Sequence, residues 1–176
     1  MDHPACRQAL FGTAEDAGLS KVAEISHKGA AVMDRPSFYE MLQRLWNPPV
    51  QTHAAETVEA FGWLVLLEGI VVVLLPGSML VLLGGEPATA QAANLFRLVG
   101  VLVSGIGVLY VVGGRLNAHS FVFASLLDRP LVPPLMAVFW YLDVVPGGLA
   151  LAFAFQDLAS FVWTWRAWHI QGADAA

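Results

Sequence analysis

The sequence predicts an all-α integral membrane protein, an antiparallel four-helix bundle with an N-terminal amphipathic helical extension. Three observations carry this expectation. Apolar stretches at 61–83, 95–114, 120–142 and 147–168 fill the last two thirds of the 176 residues. At ~1.5 Å per helical residue, each is long enough to cross the roughly 30 Å hydrocarbon layer. Charged residues make up only 13 % and hydrophobic ones 57 %, a charged share about half that of an average soluble domain. The links between the stretches are short, so successive helices run antiparallel. Residues 1–56 form the cytoplasmic or interfacial extension, 57–170 the bundle and 171–176 a disordered tail.

Residues 1–35 are mixed in polarity, with Gly12, Gly18 and Gly29 interrupting weak helical patterns. A cleavable leader is not expected there, because Glu15, Asp16, Lys21 and Glu24 break any apolar core. The next segment is sharper. Ser37 and Glu40 form a capping box after Pro36, and Phe38, Met41, Leu42, Leu45 and Trp46 fall on one apolar stripe. The Asn47-Pro48-Pro49 run ends that helix, which suits either the membrane interface or a partner protein. Thr52 is placed to cap a helix leading into the first span, in whose outer half Pro76 and Gly77 predict a bend.

A Gly-, Pro- and Ala-rich link at 84–93 forms the outer loop. The second span carries Gly100, Ser104, Gly107 and Gly114 along one face, the small-residue pattern that lets membrane helices approach closely. In the third span, Pro133 and Pro134 remove the N–H partners of the carbonyls of Arg129 and Pro130, which predicts a kink packed against protein. Pro146-Gly147-Gly148 is a turn, so the third and fourth spans are adjacent.

Orientation follows from basic residues. Five Lys or Arg precede the first span, Arg115 and Arg129 flank the middle connection and Arg166 lies near the C-terminus, leaving Arg97 on the other side. Both termini are therefore expected to be cytoplasmic. Trp63, Tyr110, Trp163, Trp165 and Trp168 would mark the inner interface, and Trp140 and Tyr141 the outer one.

The intramembrane polar residues are the candidate site. Glu68 falls about 10 Å, and Arg129 and Asp157 about 15 Å, from the predicted inner boundary. An unpaired charge at that depth costs roughly 2.5–3.5 kcal/mol on insertion scales. Arg129 and Asp157 are thus expected to pair, with Glu68 and Asp128 completing a cluster and Ser160 and Thr164 extending the polar face. The cluster either ties the helices together or lines a pocket.

Other chemistry lacks a motif. A net charge of -5 gives no basic face for nucleic acid, and Cys6, the one cysteine, cannot form an internal disulfide. His53, His119 and His169 show no metal-ligand spacing, so no metal or cofactor is expected. There is no phosphate loop and no nucleophile elbow.

The residues Phe96-Arg97-Leu98-Val99-Gly100, Gly107-Val108-Leu109-Tyr110, Gly114-Arg115, the stretch 121–125 leading to Arg129, and Asp157 with Trp163-Thr164 form a pattern over roughly residues 61–168. It resembles the small four-helix bacterial membrane proteins of the DoxX-like and BphX-like type. The resemblance implies the same bundle in a bacterial inner membrane, with no settled activity. The first sixty residues and the crowded Pro130, Pro133 and Pro134 depart from it.

The leading functional expectation is a non-catalytic accessory or scaffolding subunit of a bacterial membrane complex. It would meet the bilayer and its partner subunits through the N-terminal extension and transmembrane faces. The alternative is a membrane protein that binds a quinone, lipid or small aromatic compound in a polar mid-membrane pocket, with Glu68, Asp157 and Arg129 as anchors.

Overall fold

The structure, a computed structural model, describes residues 36–174, with side chains as far as Gln171. The weak helices expected within 1–35 lie outside the described residues. Contacts divide the chain between Glu40 and Met41. Ala54 and Ala55 are fully buried in the core of the larger unit, so the stretch around them belongs to that unit.

Helix α1, Phe38–Trp46, starts on the expected capping box. The Ser37 N–H donates to Glu40 Oε2 at 2.7 Å, and the Glu40 N–H to Ser37 Oγ at 3.2 Å. None of its residues is buried.

Helix α2, His53–Leu74, is capped by Thr52, whose hydroxyl accepts from the Ala55 N–H at 3.3 Å. The expected bend is a break. Pro76 has no N–H to continue the ladder, and its ring crowds the carbonyl of Val72. Leu75 leaves helical geometry (φ -128°, ψ 53°), and α3, Pro76–Leu82, begins after it. Helix α4, Ala90–Arg115, is capped by Thr89.

The third apolar stretch is interrupted where the prolines require it. Helix α5, His119–Asp128, passes through a 3-10 turn, Arg129–Leu131, into α6, Val132–Tyr141. Since Pro133 cannot donate to the Arg129 carbonyl, the Val132 N–H takes it one residue early, and the turn tightens. Asp143, at φ 55°, closes α6, with the Val144 N–H on the Phe139 carbonyl at 2.9 Å. Helix α7, Gly147–Asp174, follows. It continues through the first residues of the expected disordered tail, because no proline stops it before that point.

The described residues are helical with no strand. Three helical segments are long and apolar enough to cross a membrane: His53–Leu74, Ala90–Arg115 and His119–Tyr141. Helix α7 has the length, 28 residues, but Gln156, Asp157, Ser160, Thr164 and Arg166 lower its apolarity, and it is not among the three.

The most extensive packing joins α2 and α4. The small face of α4 is turned onto α2: a Cβ on Gly100 would lie 2.8 Å from the Gly69 carbonyl oxygen, and one on Gly107 2.7 Å from Leu66 Cα. Ser104 lies against Gly69. Helix α7 packs on α6 and on α2. The core gathers Ala54, Ala55, Val58, Phe61, Val65, Tyr110, Val122 and Ala167.

Candidate functional site

The 3-10 turn aims Arg129 inward, and its side chain is completely buried. Its Nη1 donates to Thr164 Oγ1 at 2.8 Å and to the Ser160 carbonyl at 3.2 Å, both on α7. The Thr57 hydroxyl of α2 lies 3.0 Å from Thr164 Oγ1 and 2.8 Å from the Ala54 carbonyl. Each hydroxyl carries one proton. The arrangement that uses every donor once therefore runs from Arg129 to Thr164, to Thr57, to the Ala54 carbonyl.

Among the described residues, Arg129 Nε and Nη2 have no hydrogen-bond partner. Aromatic faces stand in for one: the guanidinium carbon is 4.2 Å from the Phe61 ring centre and 5.2 Å from that of Tyr110. A ring quadrupole stabilises a desolvated cation by about 2 kcal/mol. Tyr110 is itself fixed edge-on between Phe61 and Phe121, with centroids 5.2 Å away on each side. One side chain thus joins α2, α4 and α7 to the turn.

This differs from the expected cluster. No guanidinium nitrogen of Arg129 comes within the 4.0 Å that defines an ion pair with Asp157. Asp157 is buried nearby, and its carbonyl accepts from Ser160 Oγ at 2.9 Å. Asp128 is exposed. Consecutive helical residues point about 100° apart, so Asp128 cannot share the inward direction of Arg129. Glu68 joins a separate pair on another level of α7, where Gln156 Nε2 donates to its Oε2 at 2.9 Å. The candidate residues therefore form two sites rather than one: Arg129 with Ser160 and Thr164, and Glu68 with Gln156.

Beside the second pair lies a cavity of about 140 Å³ between α2, α3, α4 and α7. Glu68 and Gln156 form its polar end, and Val72, Phe96, Val99 and Phe153 are among its apolar walls. Arg129 and Asp157 do not line it.

Sequence reasoning passed over several residues. Tyr110, expected at the inner interface, is buried, and Phe61 and Thr57 complete the Arg129 surroundings from a distant part of the chain. Glu59 lies two residues before Phe61, outside the first apolar stretch, so no pattern in that stretch marks it. It accepts from Arg115 Nε at 2.8 Å, Gln51 Nε2 at 2.7 Å and Trp63 Nε1 at 3.2 Å. The antiparallel register implied by the glycine face of α4 places Gly114 beside Glu59, and would have found this pair.

Arg115 Nη1 also donates to the Leu45 carbonyl at 3.1 Å, tying the end of α1 to the end of α4. Side-chain exposures of 31 % for Arg115 and 15 % for Glu59 put the pair between a surface and a buried one. Glu59→Gln should cost about 1 kcal/mol, measured as a shift in the detergent unfolding midpoint. An unchanged midpoint would show the pair to be energetically idle.

The histidines make separate contacts. His53 Nδ1 is 3.2 Å from Glu56 Oε2, His119 meets Trp168 edge-on and His169 meets Trp165. Of the expected interfacial aromatics, Trp63, Trp140, Tyr141, Trp163 and Trp165 are exposed. Comparison of the chain with protein-family models, curated proteins and solved structures gives no match.

Proposed function

We propose that the chain is a non-catalytic accessory or scaffolding subunit of a bacterial membrane complex. It is a four-helix bundle of the DoxX-like and BphX-like type, with an N-terminal extension and both termini on the cytoplasmic side of the inner membrane. The supporting observation is the apolar stripe of α1, exposed at three of its five positions among the described residues and lying outside the helices apolar enough to cross a bilayer. Phe38 and Trp46 are 81 % and 84 % exposed, and Leu42 is exposed beside them.

Covering a large apolar side chain releases roughly 1.5–3 kcal/mol, so this face has several kcal/mol to give a partner protein. The bond from Arg115 to the Leu45 carbonyl holds the end of the stripe in place before any partner arrives, which lowers the ordering cost of docking. The chemistry at Arg129 agrees with a structural part, since its Nη1 hydrogen bonds and its two aromatic contacts all run between helices. The basic-residue distribution supports the orientation.

Isolation from the native membrane in mild detergent tests the reading. A stoichiometric partner subunit should accompany the wild-type chain and be lost from the Phe38→Ser, Leu42→Ser, Trp46→Ser triple variant, whose helix content and melting stay unchanged. A solitary wild-type chain, or a partner retained by the triple variant, would refute it.

A further inference from the structure

We infer that the cavity bounded by Glu68 and Gln156 is a binding site for a neutral, otherwise apolar molecule about one ring in size that carries a hydroxyl group. Its size sets the first limit. An apolar protein cavity of about 150 Å³ accommodates benzene, and this one measures about 140 Å³. The occupant, or the part of it that enters, is therefore a single ring or its equivalent.

The walls set the second limit. Phe96, Phe153, Val72 and Val99 offer no hydrogen bond from their side chains, so the body of the ligand is apolar.

The polar end sets the third. Gln156 Nε2 donates to Glu68 Oε2, which leaves Glu68 Oε1 and Gln156 Oε1 as acceptors and one amide proton of Gln156 as a donor. A hydroxyl both gives and accepts, so one oxygen placed there meets both kinds of group. An ammonium brings three donors and no acceptor, and so leaves the free amide proton of Gln156 unmet, which a hydroxyl oxygen accepts. A bare hydrocarbon uses neither the free acceptors nor the free amide proton at the polar end, so a hydroxylated ring gains a hydrogen bond over it.

The site is independent of the α1 face and of Arg129, neither of which lines it. The same hydroxylated ring can arrive free from the bilayer or as the head of a longer lipid, and the test separates these sources.

Binding of 4-fluorophenol to the full chain in detergent micelles is followed by ¹⁹F NMR, with fluorobenzene as the control lacking a hydroxyl and protein-free micelles as the partition blank. A saturable shift is expected with 4-fluorophenol, and binding of fluorobenzene at least tenfold weaker. Glu68→Gln keeps the shape but converts an acceptor oxygen to a donor, and should weaken 4-fluorophenol about tenfold while leaving fluorobenzene unchanged. Val99→Phe fills the cavity and should abolish both.

If a fluorinated phenol with a hexyl chain binds more tightly than its partitioning accounts for, the site takes a lipid head. If it binds no better, the site takes the free compound. Either result supports the site. Three results would overturn it: non-saturable shifts equal to those of protein-free micelles, fluorobenzene binding as well as 4-fluorophenol, or a folded Val99→Phe chain that still binds. Far-UV circular dichroism and melting of both variants establish that they are folded.

Discussion

Arg129→Ala should lose about 3–5 kcal/mol of stability, the largest effect expected of any single substitution in this chain. Three losses combine. The hydrogen bonds from a charged donor to Thr164 and Ser160 are worth about 1.5–3 kcal/mol together with their context. The two aromatic faces lose their cation, and truncation leaves a void among α2, α4 and α7. Arg129→Met separates volume from polarity: it refills most of the space and should cost about 1–2 kcal/mol, since an apolar replacement also removes the burden of a desolvated charge. Reversible unfolding in mixed micelles, followed by far-UV circular dichroism, measures both. An alanine variant within about 1 kcal/mol of wild type would mean that the guanidinium does not join the helices energetically.

Gly107→Val should cost about 3 kcal/mol, at the upper end for overpacking. A Cβ at this position meets the backbone nitrogen and Cα of Leu66, and backbone cannot swing aside as a flexible side chain would. The helices must separate, and the contacts at Gly100 and Gly114 weaken with them. Gly105 provides the control on the same helix, because a Cβ there meets nothing within 4 Å. Gly105→Val should stay within about 0.5 kcal/mol of wild type. Equal effects at the two positions would show that close approach to α2 is not what Gly107 provides.

Local patterns were readable in the sequence because their causes are local. The capping box of Ser37 and Glu40, the cap at Thr52 and the interruption at Arg129 each follow from residues within four positions of one another. The small face of α4 was readable as a surface, though only the structure identifies α2 as what covers it. Matching by expected depth in the bilayer pointed Arg129 at Asp157 on α7, but depth fixes height rather than direction around the helix axis. Asp157, Ser160 and Thr164 follow one face of α7, and a guanidinium on a long side chain spans more than a helical turn. The choice among them falls to Phe61 and Tyr110, which come from two other helices, and no pattern along the chain marks that meeting. The same limit hid the pairing of Glu68 with Gln156, residues 88 positions apart.

The short turn at Arg129–Leu131 also bears on how the chain enters its membrane. Helices α5 and α6 have ten residues each, about 15 Å, so neither crosses alone. The segment between them carries a charge whose hydrogen-bond acceptors, Ser160 and Thr164, are synthesised later. During insertion, then, α5 and α6 enter lipid together as the 23-residue segment His119–Tyr141, and until α7 is made the Arg129 guanidinium lacks the acceptors that offset its burial, so a chain ended before Gly147 should be more open to proteases and quality control.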